Sequence, residues 1–158
     1  MTTQFCDTIL IDDQRVPLHC TPLNQYWALS GNSPKFKINC TALWRGYTAH
    51  WELLNGRLYL IKLSGTLEDQ GAASVRTFFP DYPDRVFAHW FSGELIIPDG
   101  AMVKRYHAGF GGVWERSIRI IMSRGVAAGR RVLQSTDPEL QNSAEEKALR
   151  LFESKAWD

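Results

Sequence analysis

Tyr47-Thr48-Ala49-His50-Trp51-Glu52-Leu53-Leu54-Asn55-Gly56-Arg57-Leu58-Tyr59-Leu60-Ile61-Lys62-Leu63 decides the fold. Asn55-Gly56 is the signature of a two-residue hairpin loop, because both central positions of a type I′ turn need positive φ. With that pair as the loop, Leu54 faces Arg57, Leu53 faces Leu58, Glu52 faces Tyr59, Trp51 faces Leu60 and His50 faces Ile61. Side chains alternate across a strand, so Ala49, Trp51, Leu53, Leu58 and Leu60 make one apolar stripe. The other face carries His50, Glu52, Tyr59 and Ile61. That mixture suits a lined cavity or a partly covered sheet better than open solvent.

The start of this hairpin has a counterpart downstream. Gly46-Tyr47 leading to Trp51-Glu52 and Gly109-Phe110 leading to Trp114-Glu115 share a spacing of Gly, aromatic, three residues, Trp, Glu. Each copy enters a run with strand periodicity. In the second, Trp114, Ile118 and Ile120 alternate with Glu115, Ser117 and Arg119. That run covers 113–122, turns at Arg124-Gly125 and returns over 126–133. Residues 8–11 and 15–18 form another hairpin around Asp12-Asp13-Gln14, with Pro17 placing its second strand at an edge. Residues 87–97 read as a strand, Pro98-Asp99-Gly100 as a turn and 101–106 as the return. Residues 19–37 and 64–85 read as irregular connections, with a short helix near 69–76.

The period changes at the end of the chain. Asp137-Pro138 is an N-cap and first-turn pair. Leu140, Ala144, Ala148, Leu151, Phe152 and Ala156 then follow helical spacing. The expectation is a single domain over 1–158, with an antiparallel β body at 1–135 and an amphipathic helix at 137–157. The class is mainly β (a β-rich α+β arrangement): an antiparallel sandwich or partly open barrel of about seven to nine strands.

At 158 residues the chain can bury a sizeable core. Its net charge of +1 gives no overall pull toward nucleic acid or an anionic membrane. No apolar run approaches the ~18 residues of a spanning helix, and no secretory signal opens the chain. The expected setting is cytoplasmic, without membrane. Cys6, Cys20 and Cys40, odd in number and widely spaced, read as reduced, mostly buried thiols. Charge is nonetheless uneven. Between 101 and 133, seven cations stand against Glu115 alone, whereas 137–158 has six acids and three bases. The basic hairpins offer a nucleic-acid reading, but an acidic helix lying against them accounts for the pattern better. Nucleic acid is therefore the weakest of the partner readings.

No catalytic signature emerges. Glu52 and Glu115 are a candidate carboxylate pair, which works as acid and base only if the two groups converge. His19, His50, His89 and His107 lack metal-ligand spacing. Gly109-Phe110-Gly111-Gly112 is not a phosphate loop, because no Lys-Ser/Thr follows and a strand, not a helix, comes next. No serine or cysteine has an activating context. No metal, cofactor or catalytic residue is assigned.

Several motifs together resemble a family of small bacterial proteins with no assigned activity. They are Arg45-Gly46-Tyr47 with Trp51-Glu52, the stretch from Asn55 to Leu60, Trp90-Phe91-Ser92-Gly93-Glu94-Leu95, Ile97-Pro98-Asp99-Gly100, and Tyr106-His107 with Gly109. The resemblance implies a bacterial cytoplasmic protein and transfers no functional residue.

The leading functional expectation is a non-catalytic binding module for another protein or a small ligand. Its site is expected from Arg45, Tyr47, His50, Glu52, Tyr59, His107 and Glu115. The alternative is a small hydrolase or isomerase using Glu52 and Glu115 with His50 or His107 in a barrel cavity.

Overall fold

In the computed structural model, residues 2–82, 84–106 and 109–140 are described. Nine strands and two helices fill them: β1 (Asp7–Ile11), β2 (Gln14–Leu18), α1 (Pro22–Ser30), β3 (Tyr47–Leu54), β4 (Arg57–Leu67), β5 (Gly71–Ala73), α2 (Val75–Phe78), β6 (Val86–Phe87), β7 (Gly93–Arg105), β8 (Gly112–Ser123) and β9 (Val126–Gln134). The strand-rich body expected from the sequence is present. The main path of the sheet runs β2-β1-β3-β4-β9-β8-β7, with β5 and β6 pairing along β4. The sheet is mixed, because β1 and β3 run parallel while the other pairs are antiparallel. Its two ends approach through one backbone bond, His19 N–H to the Ile96 carbonyl, without closing into a barrel.

The β3–β4 hairpin follows its sequence register for four pairs, from Leu54 with Arg57 to Trp51 with Leu60. Beyond them a bulge intervenes, and His50 faces Lys62 rather than Ile61. The apolar pattern explains the slip. Leu58 and Leu60 are buried two apart, but the next buried leucine is Leu63, three further on. A strict alternation would point Leu63 at solvent, and one extra residue restores it to the core opposite Ala49.

Three connections differ from expectation. Residues 22–30 form α1 because Pro22 opens it and Gly31, at φ 74, ends it in the left-handed conformation. The short helix near 69–76 is instead β5 followed by α2, which Ser74 and Thr77 cap reciprocally. Residues 87–106 are not a hairpin. Pro98 and Asp99 stay paired with Ser117 and Arg116, and β7 continues past two irregularities as one long strand. Its extra residues are absorbed as bulges, for which Gly100 at φ 82 is suited.

One core cluster joins the parts. Trp51, Leu58, Leu60, Leu95 and Ile9 are wholly buried, with Trp27, Trp90, Phe91 and Met122 among their companions. Helix α1 is pinned over this core by Trp90 Nε1 donating to the Pro22 carbonyl and by a two-way bond between Gln25 and Ser92. Val113, Leu133 and Leu140 make a smaller cluster on the outer side of β8. There a helical turn begins at Pro138, with Asp137 Oδ1 accepting the Glu139 amide at 3.1 Å. The rest of the expected C-terminal helix lies outside the described residues. Among the described helices, none is long and apolar enough to cross a membrane.

Candidate functional site

The sequence candidates fall into separate places. His50, Glu52 and Tyr59 share the outer face of β3 and β4, as alternation requires. The register extends that face sideways. Arg15 lies across from Leu10, Leu10 beside Glu52, Glu52 across from Tyr59, and Tyr59 across from Phe87. A second row sets Thr8 beside His50 and His50 across from Lys62. The Arg85 guanidinium sits 4.5 Å from the Tyr59 ring centroid, Tyr59 lies 5.9 Å from Phe87, and Arg57 sits 5.6 Å from Phe87. Cations and aromatic faces attract through the ring quadrupole, so these four side chains hold one another in a row on the surface.

His50 accepts or donates through Nδ1 to the Thr8 hydroxyl. Burial lowers its pKa from the usual imidazole range, and Arg15 and Lys62 lower it further, with Asp7 opposing weakly. Neutral His50 fits this bond, with Thr8 donating.

Arg45 and Tyr47 belong elsewhere. Tyr47 has the parity of Trp51 and is 1% exposed, so it is a core residue and not part of the outer face. Its hydroxyl donates to Asn24 Oδ1. Beside it lies a charge the sequence reading passed over. Asp7 is wholly buried, and its carboxylate accepts from Arg45 Nη2 at 2.7 Å, the Ala49 amide at 3.0 Å and Trp51 Nε1 at 3.0 Å. Arg45 Nη1 donates to the Phe5 carbonyl at 2.6 Å. Burial pushes the Asp7 carboxyl above its usual range, while Arg45 and the two other donors pull it back. Burial also raises the Tyr47 hydroxyl, Asp7 adds to this, and Arg45 and Trp27 oppose it. A hollow of about 540 Å³ opens against this group, lined by Asn24, Trp27, Phe36, Arg45 and Tyr47 among others.

Glu115 does not meet Glu52. Val126 of β9 pairs with both Arg57 and Ser123. Glu115 lies eight residues along β8 from Ser123, and Tyr59, opposite Glu52, lies two residues from Arg57 in the other direction. At 3.3 Å per residue the two glutamates stand about 30 Å apart along the strands, beyond the about 10 Å within which paired carboxylates cooperate. Glu115 approaches Arg116 at 3.4 Å. His107 lies outside the described residues. His19 stacks on Phe110 and meets the edge of Trp114, and His89 meets Trp90. Among the described residues no cluster of His, Cys, Asp and Glu is built to hold a metal. The cysteines are free thiols; Cys40 is exposed, and Cys6 and Cys20 are half-buried rather than buried.

The basic hairpins carry much of their own neutralisation. Arg116 pairs with Asp99 at 2.8 Å, Arg119 with Glu94 at 3.4 Å, and Arg131 with both Glu94 and Glu139 at 2.8 Å. Glu139 stands at the start of the acidic C-terminal stretch, as the charge pattern anticipates, and Arg131 holds its carboxyl below the usual range.

No protein-family model, curated protein or solved structure matches this chain.

Proposed function

We propose that the protein is a non-catalytic binding module that engages an acidic surface of another protein through the outer face of β1, β3, β4 and β6. The row of Arg85, Tyr59, Phe87 and Arg57 carries this reading. Arginine and tyrosine dominate binding hot spots because they combine flat contact area with directed polar groups. Here their side chains are already ordered by mutual stacking, which lowers the entropy lost on association. The face carries Arg15, Arg57, Lys62 and Arg85 against Glu52. Half-buried Leu10 and exposed Leu54 supply apolar area beside the charges. A bacterial cytoplasmic setting, implied by the family resemblance, is part of the same proposal.

The test compares the wild type with the Arg57→Ala/Arg85→Ala double variant and with Tyr59→Ala. Each is immobilised and exposed to extract from the native host at rising salt. The expected result is one protein retained by the wild type, lost from both variants and released by salt, with melting temperatures little changed. A partner retained equally by all three would exclude this face.

A further inference from the structure

An edge strand is a template for pairing with another chain, and proteins blunt such edges with proline, bulges or charge. β2 carries Pro17, and the outer stretch of β7 is broken by two register shifts. β9 is built differently. Its register with β8 slips once, leaving Ala128 without a partner between Ala127, opposite Met122, and Gly129, opposite Ile121. A bulge of this kind bends its strand. β9 therefore leaves β4 after Val126 pairs with Arg57, and β6 and β5 take up the edge of β4 instead. Over 129–134 the strand keeps unbroken register with β8 on one side and, among the described residues, has no strand on the other.

The backbone groups on that open side follow from one bond. The Ser135 amide donates to the Glu115 carbonyl at 2.8 Å. Residues bonded to a neighbouring strand alternate with residues that turn away from it. Leu133, Arg131 and Gly129 therefore bond to β8, while Arg130, Val132 and Gln134 turn their N–H and C=O groups outward. The same counting across β8 turns Ile96 outward from β7, where its carbonyl accepts from the His19 amide at 2.7 Å. The Gln134 carbonyl accepts from Asp137. Among the described residues, the outward groups of Arg130 and Val132 have no backbone partner. Gly129, Arg130 and Val132 are all exposed.

The side chains beside this edge say what fits it. Ile97, Ile118 and Val132 stand in one row across β7, β8 and β9, and Leu95, Ile120 and Arg130 stand in the next. Leu95 and Ile97 are buried, but the rows open toward β9, where Val132 is 44% exposed. A further strand would continue the first row with an apolar residue over Val132 and the second with an acidic residue against Arg130. Arg130 makes no ion pair among the described residues, whereas Arg116, Arg119 and Arg131 each make one. A second copy of this chain fits worse, because β9 against β9 brings Arg130 and Arg131 of both copies into one ladder, where like charges oppose. We infer that the free edge of β9 takes up an extended segment of another protein by strand addition, with an acidic residue set against Arg130 and an apolar residue two positions away over Val132.

A library of random linear nonapeptides displayed on phage, panned against the immobilised full chain, tests this. Enriched sequences should share an acidic and an apolar residue two apart. One such peptide is then synthesised and titrated into the ¹⁵N-labelled protein, where exchange of the Arg130 and Val132 amides should slow by at least about tenfold. The Val132 N–H points away from β8, so Val132→Pro removes an edge donor without breaking the ladder, and it should abolish binding. Arg130→Glu, at an exposed position, should bind the peptide at least about tenfold more weakly and select basic residues in place of acidic ones. That reversal decides the matter even where proline lowers stability. No enriched pattern, binding that survives Val132→Pro, or protection that misses Arg130 and Val132 overturns the site. A wild-type dimer that Val132→Pro dissociates overturns the partner and assigns the edge to a second copy. Arg57→Ala/Arg85→Ala should leave the selection unchanged, so this result is independent of the outer face.

Discussion

Protonation of His50 opposes its place in the fold. The ring is partly buried, it faces Arg15 and Lys62, and its Nδ1 is engaged by Thr8. Its folded pKa therefore lies below the unfolded value of about 6.5. Between the two values the unfolded chain binds more protons, so stability rises with pH there. The contribution is complete above about pH 6.5 and is lost as pH falls through the folded pKa. Replacing His50 with Gln removes this dependence. Urea midpoints measured at about pH 7 and about pH 5 should fall further for the wild type than for His50→Gln. Parallel declines would show that His50 is not the titrating group. Residues of this kind are legible in sequence, because alternation alone puts His50, Glu52 and Tyr59 on one face. Asp7 was not, since what makes it matter is Arg45 and Trp51, about forty positions away. Tyr47 was misplaced for a simpler reason. It shares the parity of Ala49 and Trp51, and weighing its hydroxyl above its parity assigned it to the wrong side of the sheet.

Turns and bulges decide where the elements lie, and the glycine just before β3 and the one in its hairpin turn do different work. Gly56 sits at φ 72 in the Asn55-Gly56 turn, and an added Cβ would find its nearest neighbour, Ala127 Cβ, at 4.0 Å. Gly46 sits at φ 77, where an added Cβ would collide with Phe36 Cβ and stand 3.2 Å from the Lys37 carbonyl. Gly56→Ala should therefore cost only the left-handed strain, about 1 kcal/mol. Gly46→Ala adds overpacking and should cost about 3 kcal/mol or more. Chemical denaturation of both variants checks the order, and equal costs would mean that Phe36 moves aside freely. Sequence showed the first role through the Asn-Gly pair. It was silent on the second, because the atoms that fill the space, Phe36 Cβ and the Lys37 carbonyl, come from a separate segment. The same limit governs the larger errors. Residues 19–37 read as irregular in sequence, yet Pro22 and Gly31 are the two ends of α1, and nine residues are too few for periodicity to show the helix between them. Pro98-Asp99-Gly100 carries turn chemistry, yet β8 supplies a partner strand long enough to keep the chain extended through it.

The sheet is two halves that meet at their hairpin tips. Between β4 and β9 the ladder has one pair, Arg57 with Val126, flanked by bonds from the Leu58 amide to the Gly125 carbonyl and from the Ala127 amide to the Gly56 carbonyl. A seam that narrow would let the halves separate if each had its own core. They do not: Leu95 and Ile97 of β7 and Met122 of β8 belong to the same buried cluster as Trp51, Leu58 and Leu60. Opening the seam exposes both sides of that cluster at about 25 cal/mol for each Å² of apolar surface, a far larger cost than the few hydrogen bonds it breaks. The halves should therefore unfold together. Urea unfolding followed by indole emission samples the shared core through Trp27, Trp51 and Trp90, whereas far-ultraviolet circular dichroism samples every strand. The two transitions should coincide in midpoint and slope. A dichroism change that runs ahead of the fluorescence would mean that β7, β8 and β9 detach first, and the outer face would then belong to a unit stable without them.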